Sequence, residues 1–312
     1  MKPNPVLKQL GLADDDRAVI IHTDDIGMCQ ASLAAYVDLV EVGLISAAST
    51  MVPCSWFPAT AEFCRTHPDK VDMGVHITLT SEWRSGYRWG PLSTRDPASG
   101  LLDTEGYLPY TSEEVQARAT PEAVRREIQA QVERAVTAGI DVTHIDTHMG
   151  TVYDPKFLES YVQTALEHRI PPMLVRKDVD GFLAMKHNGL KFDLGFEPDM
   201  ETVTRMARHL EALSEMGLPM VDNVTFLPFD RSADHFALTQ HFLTRLPPGL
   251  TYLMIHPSLD TPELRAIIPE RWFERVAEYH TFRDERLRAT FRDAGIHVIG
   301  WRVLRDMLRQ VL

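Results

Sequence analysis

Cysteine is scarce in this chain of 312 residues, and positive charge is in the minority. The three cysteines, Cys29, Cys54 and Cys64, stand at no metal-finger spacing and cannot all pair, so a reducing compartment is expected rather than a disulfide framework. Lysine and arginine total 32 against 44 aspartates and glutamates, a formal charge of −12, which argues against nucleic acid as a partner. No apolar run approaches the roughly 20 residues that cross a bilayer. The opening Met1-Lys2-Pro3-Asn4-Pro5 lacks an apolar signal core. A cytoplasmic protein with no membrane partner is the expectation. Internal repeats and low-complexity tracts are absent, and no glycine-rich phosphate loop follows the first apolar run, which weakens a dinucleotide-binding reading.

What the chain does have is alternation. Its 44% hydrophobic and 24% charged residues are ordinary for a globular protein, and the length allows one large α/β domain or two small ones. Strand-like runs fall at Ala18–Thr23, Ala47–Val52, Asp72–Thr78, Asp141–Thr147, Pro172–Arg176, Pro219–Val224, Thr251–His256 and His297–Gly300. Amphipathic stretches lie between them at Ser32–Val42, Pro121–Ala138, Phe157–His168, Glu201–Met216 and Phe282–Asp293. Gly43, Gly139, Gly217 and Gly295 stand where helices would stop. About eight strand–helix units predict parallel strands in a TIM-like (β/α) barrel, closed or distorted and incompletely closed, with an open doubly wound sheet as the alternative. One domain over 1–312 is expected, with long connections at about 81–120 and 177–200 projecting from the face where such barrels place their active sites. The first carries Trp83, Tyr87, Trp89, Tyr107 and Tyr110, which suit either a sugar-binding face or a loop packed on itself.

The chemistry-bearing residues sit at strand ends. Val19-Ile20-Ile21 runs into His22-Thr23 and then two adjacent acids, Asp24 and Asp25; a solvated helix cap is the plain explanation for such a pair. Further strand ends carry His76, His148 and His256, and in a barrel those ends meet in one pocket. One carboxylate and two imidazoles would hold a divalent ion while leaving positions for water and substrate, as hydrolysis requires. Such nitrogen-rich ligation favours Zn²⁺, with Mg²⁺, Mn²⁺ or Co²⁺ as alternatives. The remaining acid and histidine would supply a general base and a general acid. His144, Asp146 and His148 share one strand face; Asp146 is expected to orient an imidazole, His144 to be structural, and His22 to need no catalytic role.

Four blocks carry a family resemblance: Thr23-Asp24-Asp25-Ile26-Gly27, Gly43–Met51, Gly74-Val75-His76-Ile77-Thr78-Leu79 and Thr143-His144-Ile145-Asp146-Thr147-His148. In this order they resemble the YdjC-like carbohydrate deacetylases, a family that includes chito-oligosaccharide deacetylases, and the likeness runs from Val19 to about Arg286. The resemblance implies a (β/α) barrel and a divalent metal held by Asp25, His76 and His148, with Asp24 as catalytic base. Ile255-His256-Pro257 is similar to the family's late His-Pro and suggests His256 as proton donor or intermediate stabiliser. Arg176, Arg283 and Glu285 stand where the family often has charged residues. The implied reaction is hydrolysis of an N-acetyl or other N-acyl amide on a small amino sugar, releasing acetate, in a chain that could form a homodimer. Two departures stand out. Met149-Gly150 follows His148 where the family commonly has a further histidine, and the aromatic loop around Trp83 is longer than in the chito-oligosaccharide type. Both point to a subgroup with its own acyl-amide substrate. A sugar isomerase or epimerase on the same metal, and a silent carbohydrate-binding barrel, are the rival readings.

Overall fold

The computed structural model describes residues 3–83, 86–181, 200–231 and 233–311. Seven parallel strands run along the chain: β1 (Arg17–Ile26), β2 (Ala47–Thr50), β3 (Met73–Ile77), β4 (Val142–Thr147), β5 (Asn223–Phe226), β6 (Gly249–Ile255) and β7 (Ile296–Val298). They form one sheet in the order β4-β3-β2-β1-β6-β5, with β7 pairing the start of β1. Isolated bridges from Ile145 to Pro172 and from Val175 to Val221 join the two outer strands through the Pro172–Arg176 segment. The arrangement is therefore barrel-like, as the alternation of strands and helices predicts. Pro172–Arg176 makes bridges rather than a full strand because Pro171 and Pro172 have no N–H to give to a ladder.

Twelve helices flank the sheet among the described residues: α1 (Pro5–Gln9), α2 (Gln30–Val42), α3 (Phe57–Thr66), α4 (Ser112–Arg118), α5 (Pro121–Thr137), α6 (Pro155–Glu167), α7 (Met200–Glu215), α8 (His235–Leu243), α9 (Pro262–Ile267), α10 (Trp272–Arg283), α11 (Arg286–Asp293) and α12 (Trp301–Val311). None is long and apolar enough to cross a membrane. The stretch expected as one helix from Phe282 to Asp293 is two, because the chain turns extended at Asp284, whose side chain accepts from Arg286 N–H. Most of the 177–200 connection lies outside the described residues.

Parallel strands covered on both faces read as continuous apolar runs, and Val19, Ile20 and Ile21 are all fully buried. Strand parity divides them. Val19 and Ile21 pack outward with Leu39, Leu253 and Phe282, whereas Ala18 and Ile20 join the larger core with Val75, Tyr252 and Trp301. His22 and Asp24 continue the face of Ile20. The tip of β3 is tied to α5, where buried Gln131 bonds both the N–H and the carbonyl of Thr78 at 2.9 and 2.7 Å. One turn earlier, Glu127 accepts from the N–H groups of Leu92 and Ser93 and anchors the long loop after β3. Cys29, Cys54 and Cys64 are buried free thiols.

Candidate metal centre and active site

β1 ends in an irregularity. Its register against β2 shifts between Thr23 and Ile26, and Asp25 adopts φ 61, a left-handed conformation uncommon for a non-glycine residue. Gly27 follows at φ 88, where a Cβ would lie 3.0 Å from Thr60 Oγ1. This turn sets the Asp25 side chain beside His76 of β3 and His148, the residue after β4. Met149 and Gly150, also left-handed, carry the chain away immediately afterwards.

The three donor atoms form a compact triangle. His76 Nε2 is 3.4 Å and His148 Nδ1 3.2 Å from Asp25 Oδ1, and the two nitrogens are 3.3 Å apart. Ligands on a tetrahedral zinc at about 2.0–2.1 Å stand roughly 3.3–3.4 Å from one another. The far nitrogen of each imidazole is already committed: His76 Nδ1 lies 2.9 Å from Asp146 Oδ1 and His148 Nε2 lies 2.7 Å from Glu82 Oε1. Carboxylates in these positions fix the tautomers that turn lone pairs toward a metal. Asp25 Oδ2 accepts from Arg275 at 2.7 Å, while Asp25 Oδ1 is buried without a hydrogen-bond partner. An orphaned buried carboxylate oxygen between two oriented imidazoles is what a cation would satisfy. Two neighbouring groups, His22–His144–Asp146 and Asp24–His76–Asp146, are also close enough to ligate. They fit less well, because His22 Nε2 and His144 Nε2 are spent on each other at 2.7 Å and Asp146 is held by Ser49, Tyr252 and His76.

The electrostatics agree with that choice. Burial disfavours the Asp25 carboxylate, but Arg275 and the two imidazoles outweigh it and hold its pKa well below the usual range. Burial also opposes charging His148, yet Glu82 and Asp25 push its pKa up to about 9, and Asp146 and Asp24 lift His76 well above its ordinary value. Protons on these imidazoles supply the positive charge that a divalent ion would bring instead.

The cluster forms the floor of a cavity of about 750 Å³ that Asp24, His256 and Trp83 also line. Asp24 Oδ2 is 3.9 Å from His76 Nε2. His256 stacks parallel to Phe226, and burial, reinforced by Arg275, lowers its pKa to about 4. Asp146 supports His76 from beneath. Arg176 is placed otherwise: it pairs with Asp222 at 3.1 Å and is not among the residues lining the cavity. Arg283 bonds Asp38, and Glu285 pairs with Arg288, both on the outer surface. Of the loop aromatics only Trp83 reaches the cavity. Trp89 donates to the Thr80 carbonyl, and Tyr107 and Tyr110 flank the Arg88 guanidinium.

Several cavity residues lack a strand-end signal. Glu82 comes from the irregular loop after β3, Arg271 from the position just before α10, and Glu274, Arg275 and Glu278 from its first seven residues. Glu278 accepts the His256 N–H at 2.7 Å, and burial pushes its carboxyl up to about 7. Arg275 Nη1 is buried without a partner, beside the Asp25 carboxylate that its Nη2 holds. His22 could have been found by strand parity, which places it on the face of Asp24, and its Nδ1 lies 2.6 Å from Asp24 Oδ1.

Comparison with known proteins places the chain in a family. The family model described as YdjC-like protein matches residues 18–293. The chain is 32% identical over 305 residues to a carbohydrate deacetylase of Thermus thermophilus, covering 97% of this chain and 99% of that protein. It is 22% identical over 287 residues to a carbohydrate deacetylase of Thermoanaerobacter pseudethanolicus, covering 92% and 99%. A crystal structure of a candidate cellobiose-phosphate cleavage protein from Enterococcus faecalis V583 superposes with a TM-score of 0.68 over 93% of this chain and 99% of that one. At 16% identity that likeness bears on the fold alone.

Proposed function

Because the chain belongs to the YdjC-like protein family, we propose that it is a metal-dependent carbohydrate deacetylase, cleaving the N-acetyl or N-acyl amide of a small amino sugar and releasing acetate or the corresponding acid. The observation that carries this reading is the buried, unpartnered Asp25 Oδ1 between His76 Nε2 and His148 Nδ1, at the floor of a cavity that also presents Asp24. We assign Asp25, His76 and His148 as ligands of one divalent ion. The donor set favours Zn²⁺ over Mg²⁺, Mn²⁺ or Co²⁺. Bound there, the ion supplies Lewis acidity, polarising the amide carbonyl and easing deprotonation of water.

The chain's own groups do the rest. Asp24 takes the proton of the attacking water and returns it to the leaving nitrogen as the C–N bond breaks, so that the carboxylate is regenerated in each cycle. His256, neutral at pH 7 because its pKa is lowered to about 4, serves as a hydrogen-bond donor to the tetrahedral oxyanion rather than as the resting acid. Arg275 holds Asp25, and Asp146 and Glu82 hold the two histidines. Trp83 offers an aromatic wall to the sugar.

The test is acetate release from a panel of N-acetylated amino sugars by metal-loaded and chelator-treated protein. Acetate formed only by the loaded protein is the expected result. An isomerised sugar without acetate would transfer the site to the isomerase class, and sugar binding indifferent to chelator and without product would leave a silent binding barrel.

A further inference from the structure

Beneath the cavity the sheet encloses a second polar assembly whose members, apart from Asp24, do not line the cavity. His22 Nδ1 faces Asp24 Oδ1 at 2.6 Å and the Tyr252 hydroxyl at 2.7 Å. His22 Nε2 is 2.7 Å from His144 Nε2. His144 Nδ1 is in turn 3.0 Å from Thr143 Oγ1, which donates to Asp72 Oδ1 at 2.5 Å. Asp24 lies at the C-terminal end of β1, whereas Asp72 directly precedes β3 and is partly exposed. The contacts thus run unbroken from the cavity to the opposite end of the sheet.

The line has a direction. Thr143 owns one hydroxyl hydrogen, and the Asp72 carboxylate takes it. His144 must then donate from Nδ1 to Thr143 Oγ1 and accept at Nε2, which obliges His22 to donate from Nε2. The tautomer of His144 is set from the far end, and because a carboxylate oxygen only accepts, His22 must donate from Nδ1 to Asp24 Oδ1 as well as from Nε2 to His144.

The surrounding packing keeps the rings where this requires. The His144 ring stacks on Trp301, with centroids 4.9 Å apart and planes at 15°, and Gly74 lies against its other side, where a Cβ would come within 2.5–2.7 Å of three ring atoms. His22 stacks on Tyr252 at 4.7 Å. Both imidazoles and Thr143 are fully buried. Two interlocked histidines are a poor way to fill a core, since an apolar pair would leave no hydrogen bonds to complete.

We propose that His22, His144, Thr143 and Asp72 act as one positioning line that fixes the Asp24 carboxylate from the opposite end of the sheet. The inference rests on the reading of Asp24 as the base, and its experiment separates the two. Thr143→Val preserves shape and removes the hydroxyl; Thr143→Ser retains it. In metal-loaded protein Thr143→Val should lower kcat about tenfold with KM and metal content unchanged, and Thr143→Ser should recover most of the loss. Nitrogen NMR of the imidazoles gives a readout independent of turnover: His144 should be protonated at Nδ1 in the wild type and should change its tautomer distribution in Thr143→Val. Wild-type turnover by Thr143→Val, or unchanged imidazole signals in it, overturns the line. So does a wild-type His144 protonated at Nε2, even if the valine variant does not fold. If the wild type itself releases no acetate, the deacetylase reading fails instead, and the spectra alone decide the line.

Discussion

Glu82 Oε1 lies 2.7 Å from His148 Nε2, so the imidazole that offers Nδ1 to Asp25 and His76 is steered from outside by a carboxylate on the loop after β3. The pairing makes the loop part of the candidate metal centre. Partners of this kind raise ligand basicity and hold ring orientation, and losing one lowers metal affinity about 10–100-fold. Glu82→Ala should therefore weaken divalent-ion binding by that factor, read by equilibrium dialysis, and should also lower the metal-free thermal midpoint, because Glu82 pairs with the buried His148 imidazole. An unaltered dissociation constant would remove Glu82 from the centre.

Metal retention and turnover should separate between the two adjacent acids. Asp25→Ala, His76→Ala and His148→Ala each remove a donor from the triangle and should purify without stoichiometric ion. Asp24→Asn leaves all three donors in place; it should keep its metal and lose kcat by roughly two to four orders of magnitude, the usual contribution of a general base. Metal analysis and acetate release on the same preparations check both halves, and stoichiometric ion in any of the first three variants would displace that residue from the ligand set.

Much of this organisation is legible in the sequence. Periodic apolar runs ending in glycine reveal strands and helices, and histidines after β-branched runs reveal strand ends that converge only because the strands are parallel. Where the signal depended on something other than periodicity it failed. Pro172 looks like part of a strand by composition, but the missing N–H groups reduce that segment to bridges. Glu82 and Arg275 come from an irregular loop and a helix, so nothing in local pattern distinguishes them from surface charge. His22 is the instructive case, because the alternation that places Ile20 inward places His22 inward too, against Asp24.

The protons that these side chains hold in metal-free protein predict an inverted pH response. In metal-free protein the pKa of His148 is raised from an ordinary 6.5 to about 9, so its contribution to stability is complete below about 6.5 and is lost as pH rises through about 9. His76 shifts in the same direction, while Asp25, depressed, stays charged throughout. The thermal midpoint of the metal-free protein should fall across pH 6.5–9. Apparent metal affinity should climb over the same window, because binding must expel those protons. Scanning calorimetry with and without Zn²⁺ checks both slopes; a metal-free midpoint that rises with pH would contradict the assigned ion pairs.

The aromatic loop should divide into structural and substrate-facing parts. Arg88 is buried between Tyr110, whose ring centroid is 3.7 Å away, and Tyr107 at 5.1 Å, and it bonds Asp103 and the Leu108 carbonyl. Trp89 packs on Trp83 at 5.0 Å and donates to Thr80 O at 2.9 Å. Trp89→Ala opens a large cavity and should destabilise by about 3–5 kcal/mol; Trp89→Phe keeps most of the ring and should be milder. Arg88→Met takes the guanidinium from Asp103 Oδ2 but removes nothing that lines the cavity, so KM should hold while the urea midpoint drops. Trp83 alone both stacks in the loop and faces the cavity beside His148, with ring centroids 5.8 Å apart. Trp83→Phe should raise KM for an amino sugar several-fold with a small change in the urea midpoint. If Arg88→Met and Trp83→Phe shift KM equally, the loop acts as one substrate-binding unit and the division drawn from its contacts is wrong.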